Sequence, residues 1–362
     1  MATRRTRLTA AFALSLLLAF VTLASTARVR AAAPERLNDA EFWKISAETS
    51  EPDGEFRSEN LLSNELGMQW VIPRLLQISK TGRAYLGVGP EQNFTYIAAL
   101  KPSIVFIIDI RRGNLDLQLM YKALFELSAD RADFYSRLFS KPRPAGLTAS
   151  SRALDIVTAF ENVRTSEDLY KQNQKDVEDL LEKTHGFPLS AKRAEATQTD
   201  WEDLKWVYDQ FYWFGPSMDY NSPGGGFGGG TSPTYADLAA ATDDKGIERN
   251  FLSSEERYQV LKNLEERNLI VPVVGNFGGP KAIRAVGDYL KSRNETVSAF
   301  YLSNVEQYLS QDGLSTNFCR SVATLPLDGA STFIRTQRGA PGPGAGLNPV
   351  LGGMAKEVET CR

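Results

Sequence analysis

One histidine and two cysteines stand among the 362 residues, and each scarcity removes a class of chemistry. With His185 alone, a multi-histidine metal site is excluded, and any nucleophile–base triad would have to use this residue. His185 precedes Gly186 in "EKTHGFP", the setting of a helix C-terminus, where a donor or cation suits the last carbonyls; that structural role is the preferred reading over catalysis. Cys319 and Cys361 are too few for a disulfide framework, and the sequence leaves open whether they pair or remain free thiols. The net charge is −3 and no long basic run occurs, so nucleic acid is not an expected partner. Beyond the N-terminus no stretch has 18 unbroken apolar residues, so the remainder carries no predicted transmembrane helix.

What is present is a globular composition, 42% hydrophobic and 23% charged, enough for a sizeable core in a chain of this length. The N-terminus differs from the rest. Arg4, Arg5 and Arg7 precede an apolar run from Leu8 to about Ala27, followed by small residues suited to cleavage. Residues 1–33 therefore read as a signal peptide or an uncleaved N-terminal anchor. The expected location is exported, periplasmic or extracellular, with the membrane touched only through this segment. The Arg4-Arg5 pair hints at the twin-arginine route.

Along the chain, residues 36–80 read as an N-terminal helical segment, with Asn38 or Asp39 as a cap, Pro73 as a break or kink, and a lid or cap over the sheet as its place. "RAYLGVG" and "SIVFIIDI" are short, near-continuous apolar runs of the kind found in buried parallel strands. Strands are expected at about 83–88, 104–110, 269–275, 297–303 and 320–326, alternating with helices. That rhythm predicts an α/β fold with a doubly wound, mostly parallel sheet and a helical insertion between the second and third strands. The divisions are 81–140 for the first half of the α/β domain, 141–260 for the insertion, 261–336 for the second half and 337–362 for a flexible tail. Within the insertion, "PGGGFGGGT" at 223–231 is a Gly-rich loop. The aromatic run Tyr208, Phe211, Tyr212, Trp213 and Phe214 suits a core more than a ligand cage.

Ligands of such sheets bind beyond the carboxyl ends of the strands, and four of those ends carry informative residues. The first ends in Gly87, Val88, Gly89, Pro90 and Glu91, where small residues let a ligand approach the backbone and the next helix N-terminus favours an anion. The second ends in Asp109, placed to accept hydrogen bonds from two ribose hydroxyls. The third ends in Gly275, Asn276 and Phe277, an amide and a ring suited to a purine. The fourth carries Tyr301, Ser303 and Asn304, which face the acceptor side. For each there is a plain structural role as well: a tight turn for the glycines, pairing with Arg111 or Arg112 for Asp109, helix capping for Asn304.

These stretches, "YLGVGPEQN", "FIIDIRRGN", "VVGNF" and "AFYLSNVEQYL", together resemble the class I S-adenosylmethionine-dependent methyltransferase-like fold, within a group of exported bacterial proteins. The resemblance covers roughly 130 residues of sheet. It implies S-adenosylmethionine as cofactor, bound through Gly87, Gly89, Glu91, Asp109, Asn276 and Phe277, and methyl transfer to an acceptor that the sequence does not identify. Two departures stand out. Tyr85 holds the place of the acidic residue usual before the first glycine, and Asn276 replaces the common acid of the third motif. The alternative is a non-catalytic extracytoplasmic protein that binds a small molecule or partner and has lost cofactor use. A nicotinamide-dependent oxidoreductase ranks below both, because Gln92 breaks the full GxGxxG pattern.

Overall fold

The computed structural model describes residues 34–361 apart from 194–195, 223–231 and 339–346. The N-terminal segment 1–33 and the Gly-rich loop lie outside the described residues.

Six strands form one sheet in the order β3-β2-β1-β4-β5-β6: β1 (Ala84–Gly87), β2 (Val105–Asp109), β3 (Ile270–Val274), β4 (Val297–Ser303), β5 (Thr332–Arg338) and β6 (Leu347–Gly353). The first five run parallel, and β6 returns antiparallel to β5. The protein is thus α/β with a mostly parallel mixed sheet. Every residue of β1, β2 and β3 is buried, as expected of strands covered on both faces. Pro272 sits within β3, which its position at the sheet edge permits, since one side of an edge strand needs no donor. That edge is covered by the chain leaving α1 (Asp39–Thr49). The Ser46 hydroxyl donates to the Pro272 carbonyl (2.6 Å), and Val274 N–H donates to Ser50 Oγ (2.9 Å).

The helices between β1 and β2 and between β2 and β3 contribute much of the core. They are α3 (Gln92–Leu100), α4 (Arg112–Leu127), α5 (Arg131–Phe139), α6 (Ala153–Glu161), α7 (Glu167–Glu178), α8 (Asp200–Phe214), α9 (Tyr235–Ala240) and α10 (Glu255–Glu266), with α2 (Ile72–Ile78) preceding β1. Aromatic rings join the insertion to the sheet layer: Phe94 on α3 meets Phe251 edge-on at 5.4 Å, and the Phe125 ring on α4 lies 5.3 Å from that of Tyr258 on α10. Tyr208 and Phe211 are buried in this core, whereas Trp213 and Phe214 face outward. Thr199 caps α8 through a capping box with Glu202. The Asp200 carboxylate pairs with Arg112 and Arg193.

The structure corrects three expectations. Residues 320–326 are not a strand: α13 (Ser315–Val322) occupies that stretch, and the fifth strand is Thr332–Arg338. Phe318, Val322 and Leu325 are spaced for a helical face, and all three are buried. Within the tail, residues 347–361 are not free chain. They form β6, then α14 (Met354–Glu357), and end in a disulfide between Cys361 and Cys319 on α13, with Cα atoms 5.7 Å apart. Pro349 is accommodated on an edge strand. The helical reading of 36–80 holds for α1, for a 3₁₀ turn at Met68–Val71 and for α2; Pro73 lies in the first turn of α2, where its missing N–H costs nothing. Residues 50–66 are irregular.

Among the described residues no helix is long and apolar enough to cross a membrane.

Candidate functional site

The strand order reverses direction between β1 and β4, the switch point at which a crevice opens beyond the carboxyl ends of an open α/β sheet. A cavity of about 820 Å³ lies there, lined by Val88, Gly89 and Pro90 after β1, Asp109 and Ile110 after β2, Gly275, Asn276 and Phe277 after β3, and Ser303, Asn304 and Val305 after β4. The four strand ends thus converge on one cavity. Its size falls within the range of small-molecule sites. The opposite wall is the irregular segment 50–66, which contributes Arg57, Asn60 and Glu65 among others. This segment reaches α12 (Val305–Gln311), just past which Asp312 also lines the cavity. Arg57 donates to the Tyr308 hydroxyl (2.6 Å) with its guanidinium over the ring, and the Phe56 ring meets Tyr308 edge-on at 5.1 Å. Within the N-terminal segment, the irregular part and not the helices lines this cavity.

The glycine turn owes its shape to α3. Asn93 tucks beneath it, donating to the carbonyls of Val88 (2.9 Å) and Pro90 (2.8 Å) and accepting from the Tyr85 hydroxyl (2.9 Å). Gly87 is needed for this, because a Cβ there would overlap the Asn93 amide. Its role is packing, and it does not line the cavity. Gly89 does line it, at φ +76°, a conformation that L side chains rarely adopt. Its carbonyl accepts from Gln118 (3.1 Å).

Asp109 is nearly buried and bends back onto Arg111. Its Oδ1 accepts from the Arg111 backbone N–H (3.0 Å) and Nε (3.2 Å), while Oδ2 has only a longer contact from Nη2 (3.4 Å). Asn276 Oδ1 accepts from Gly278 N–H (2.8 Å). The Phe277 ring belongs mostly to an apolar cluster, stacked on Phe318 at 5.9 Å. The N-terminus of α11 (Ala282–Ser292) is already satisfied by Glu51, which accepts from Lys281 and Ala282 N–H. Asn304 precedes α12 but makes no capping bond with its side chain. Ser303 adopts φ +49°.

Besides Gly87, two more of the expected residues lie behind the lining. Glu91 is buried, accepts from Ser63 N–H (3.1 Å), and is pushed up to about 7 by burial against that bond. Tyr301 is buried and donates to Glu65 (2.7 Å). Sequence reasoning missed Glu65 altogether. Its partners Tyr301 and Ser303 are 236 and 238 residues away, and no local pattern marks it. Burial raises its carboxyl above the ordinary value, although hydrogen bonds from Ser303 and Tyr301 and the nearby Thr336 hydroxyl oppose the shift.

His185 is remote from the cavity. It ends the turn at Asp179–Thr184, and its ring bridges Asp39 (2.7 Å) and Glu126 (3.0 Å), a structural clamp.

No curated protein matches the chain. The family model described as "Domain of unknown function (DUF7790)" matches residues 61–210 and 152–347, a span that holds the whole sheet up to β6, and the chain belongs to that family.

Proposed function

We propose that the crevice binds S-adenosylmethionine or a related adenosyl nucleoside in a methyltransferase-like sheet, and that the protein transfers a methyl group to an acceptor placed beside Ser303 and Asn304. The observation that carries this reading is the convergence of Gly89, Asp109, Asn276 and Ser303, from four strand ends, on one cavity of about 820 Å³. The residues fit such a group. Gly89 leaves the backbone open to approach, with no atom closer than 3.5 Å to a Cβ built there. Asp109 Oδ2 has room for a ribose hydroxyl beside its long contact with Arg111. The Asn276 side chain and the buried Phe277, both of which line the cavity, border the adenine end. When bound, the cofactor supplies an activated methyl on a sulfonium. The protein's part is then to position the acceptor and exclude water, which needs little acid–base chemistry, so one histidine suffices. Export accords with the Cys319–Cys361 bridge, because disulfides persist in oxidising compartments.

The engagement of Asp109 Oδ1 by Arg111 favours a second reading, a binding protein for another small molecule. Thermal denaturation with S-adenosylmethionine and S-adenosylhomocysteine separates the two. A ligand at a hundred times its dissociation constant adds about 2.7 kcal/mol of apparent stability. Asp109→Ala should remove the shift. A well-folded protein that responds to neither compound would refute the nucleoside reading.

A further inference from the structure

Three side-chain atoms of cavity-lining residues are buried without a hydrogen-bond partner: Asn60 Oδ1, Glu65 Oε2 and Gln92 Oε1. All three are acceptors. Two of them belong to one chain of bonds. Gln92 Nε2 donates to the Tyr301 hydroxyl (3.1 Å), which donates to Glu65 Oε1 (2.7 Å), where Ser303 also donates (2.6 Å). This orientation commits the donors of Gln92, Tyr301 and Ser303 inward and leaves Gln92 Oε1 and Glu65 Oε2 wanting donors. The Thr336 hydroxyl is near enough to Glu65 to favour its ionisation but makes no hydrogen bond to Oε2. Among the described residues no lysine, arginine or histidine pairs with Glu65, which is 1% exposed. A buried carboxylate without a counter-charge is costly, and unmet acceptors add to that cost. A neutral hydroxyl can meet one acceptor. An ammonium group brings up to three donors and the missing charge.

We propose that Glu65, with Gln92, Tyr301 and Ser303, forms a cation-recognising subsite of the crevice that takes the primary or secondary ammonium group of a ligand. The inference rests on the crevice being a ligand site, as proposed above, and not on the ligand being a nucleoside.

Two probe pairs test it on the full chain. The first is n-butylammonium chloride against n-butanol at matched ionic strength, read by thermal shift. The wild type should respond to the ammonium at concentrations where the alcohol does nothing, and Glu65→Gln should weaken that response at least tenfold. The second is S-adenosylhomocysteine against methylthioadenosine, nucleosides with and without an ammonium, read by calorimetry. The wild type should favour the former at least tenfold, and Glu65→Gln should bring the ratio near one. If both nucleosides bind alike and the ammonium does no better than the alcohol, the subsite is refuted while nucleoside binding stands. If neither nucleoside binds but the ammonium does, and Glu65→Gln abolishes it, the subsite stands and the nucleoside reading falls. If neither nucleoside binds and the ammonium does no better than the alcohol, the subsite is refuted as well. Should Glu65→Gln fail to fold, the wild-type probe comparison decides alone.

Discussion

Reducing the Cys319–Cys361 bridge offers a prediction whose size follows from the chain itself. The two residues are 42 positions apart. Closing a loop of that length in the unfolded chain removes entropy worth about 4 kcal/mol at 25 °C in the chain-entropy model. With an unfolding entropy of about 2.1 cal/mol/K per residue over roughly 300 ordered residues, that corresponds to a fall in Tm of about 6 °C. Calorimetry of the oxidised protein, of the reduced protein, and of the Cys319→Ser/Cys361→Ser variant should give the last two in agreement and both below the first. The loss should also be local. β6 is an edge strand followed by α14 and the bridged turn, so limited proteolysis of the reduced form should cut first after residue 338. Because Leu347 lines the cavity, ligand-induced stabilisation should shrink in parallel. A Tm that moves by less than about 1 °C on reduction, or two reactive thiols in the denatured, unreduced protein, would refute the reasoning.

Further outcomes follow from single side chains. His185→Gln should cost about 2 kcal/mol by leaving Asp39 and Glu126 without their shared donor. Burial works against the imidazolium, but the hydrogen bond and charge of Glu126, with Asp39, hold its pKa above the ordinary value. Its contribution is therefore full below the unfolded pKa and lost as pH rises through the folded one, so urea midpoints of wild type and variant should converge toward alkaline pH. Glu265 shows the same direction of pH dependence from a different cause. Burial, only partly offset by Lys122, raises it to about 8 from 4.5, so the folded state holds a proton that the unfolded chain releases, and stability falls as pH climbs between those values. Glu265→Gln should flatten that limb of the stability curve. Gly89→Ala should cost about 1–2 kcal/mol through its left-handed backbone, measurable in urea, whereas Gly87→Ala should cost more because it displaces Asn93 and the turn built on it.

How far the site could be read from the sequence depended on where its residues lie. Asp109, Gly89, Asn276 and Ser303 close strands whose apolar runs announce themselves, and a parallel sheet brings the ends of such strands together whatever the details. Glu65 sits in an irregular stretch with no periodicity, and only its partners on β4 give it meaning. Tyr301 was read as facing the acceptor because it lies near a strand end. It is buried behind the lining, where its hydroxyl donates to Glu65.

The C-terminal region divides the same way. A Gly- and Pro-rich composition reads locally as free chain, yet residues 347–353 find unpaired backbone groups on β5 and a disulfide to hold them there. The sequence alone determined the secondary elements that carry their own apolar period, the parallel order they imply, and the chemistry available at their tips. Only the tertiary structure decided which irregular segments complete the sheet and wall the crevice, because backbone pairing and buried polar contacts over two hundred residues apart depend on position in space and leave no trace in local spacing.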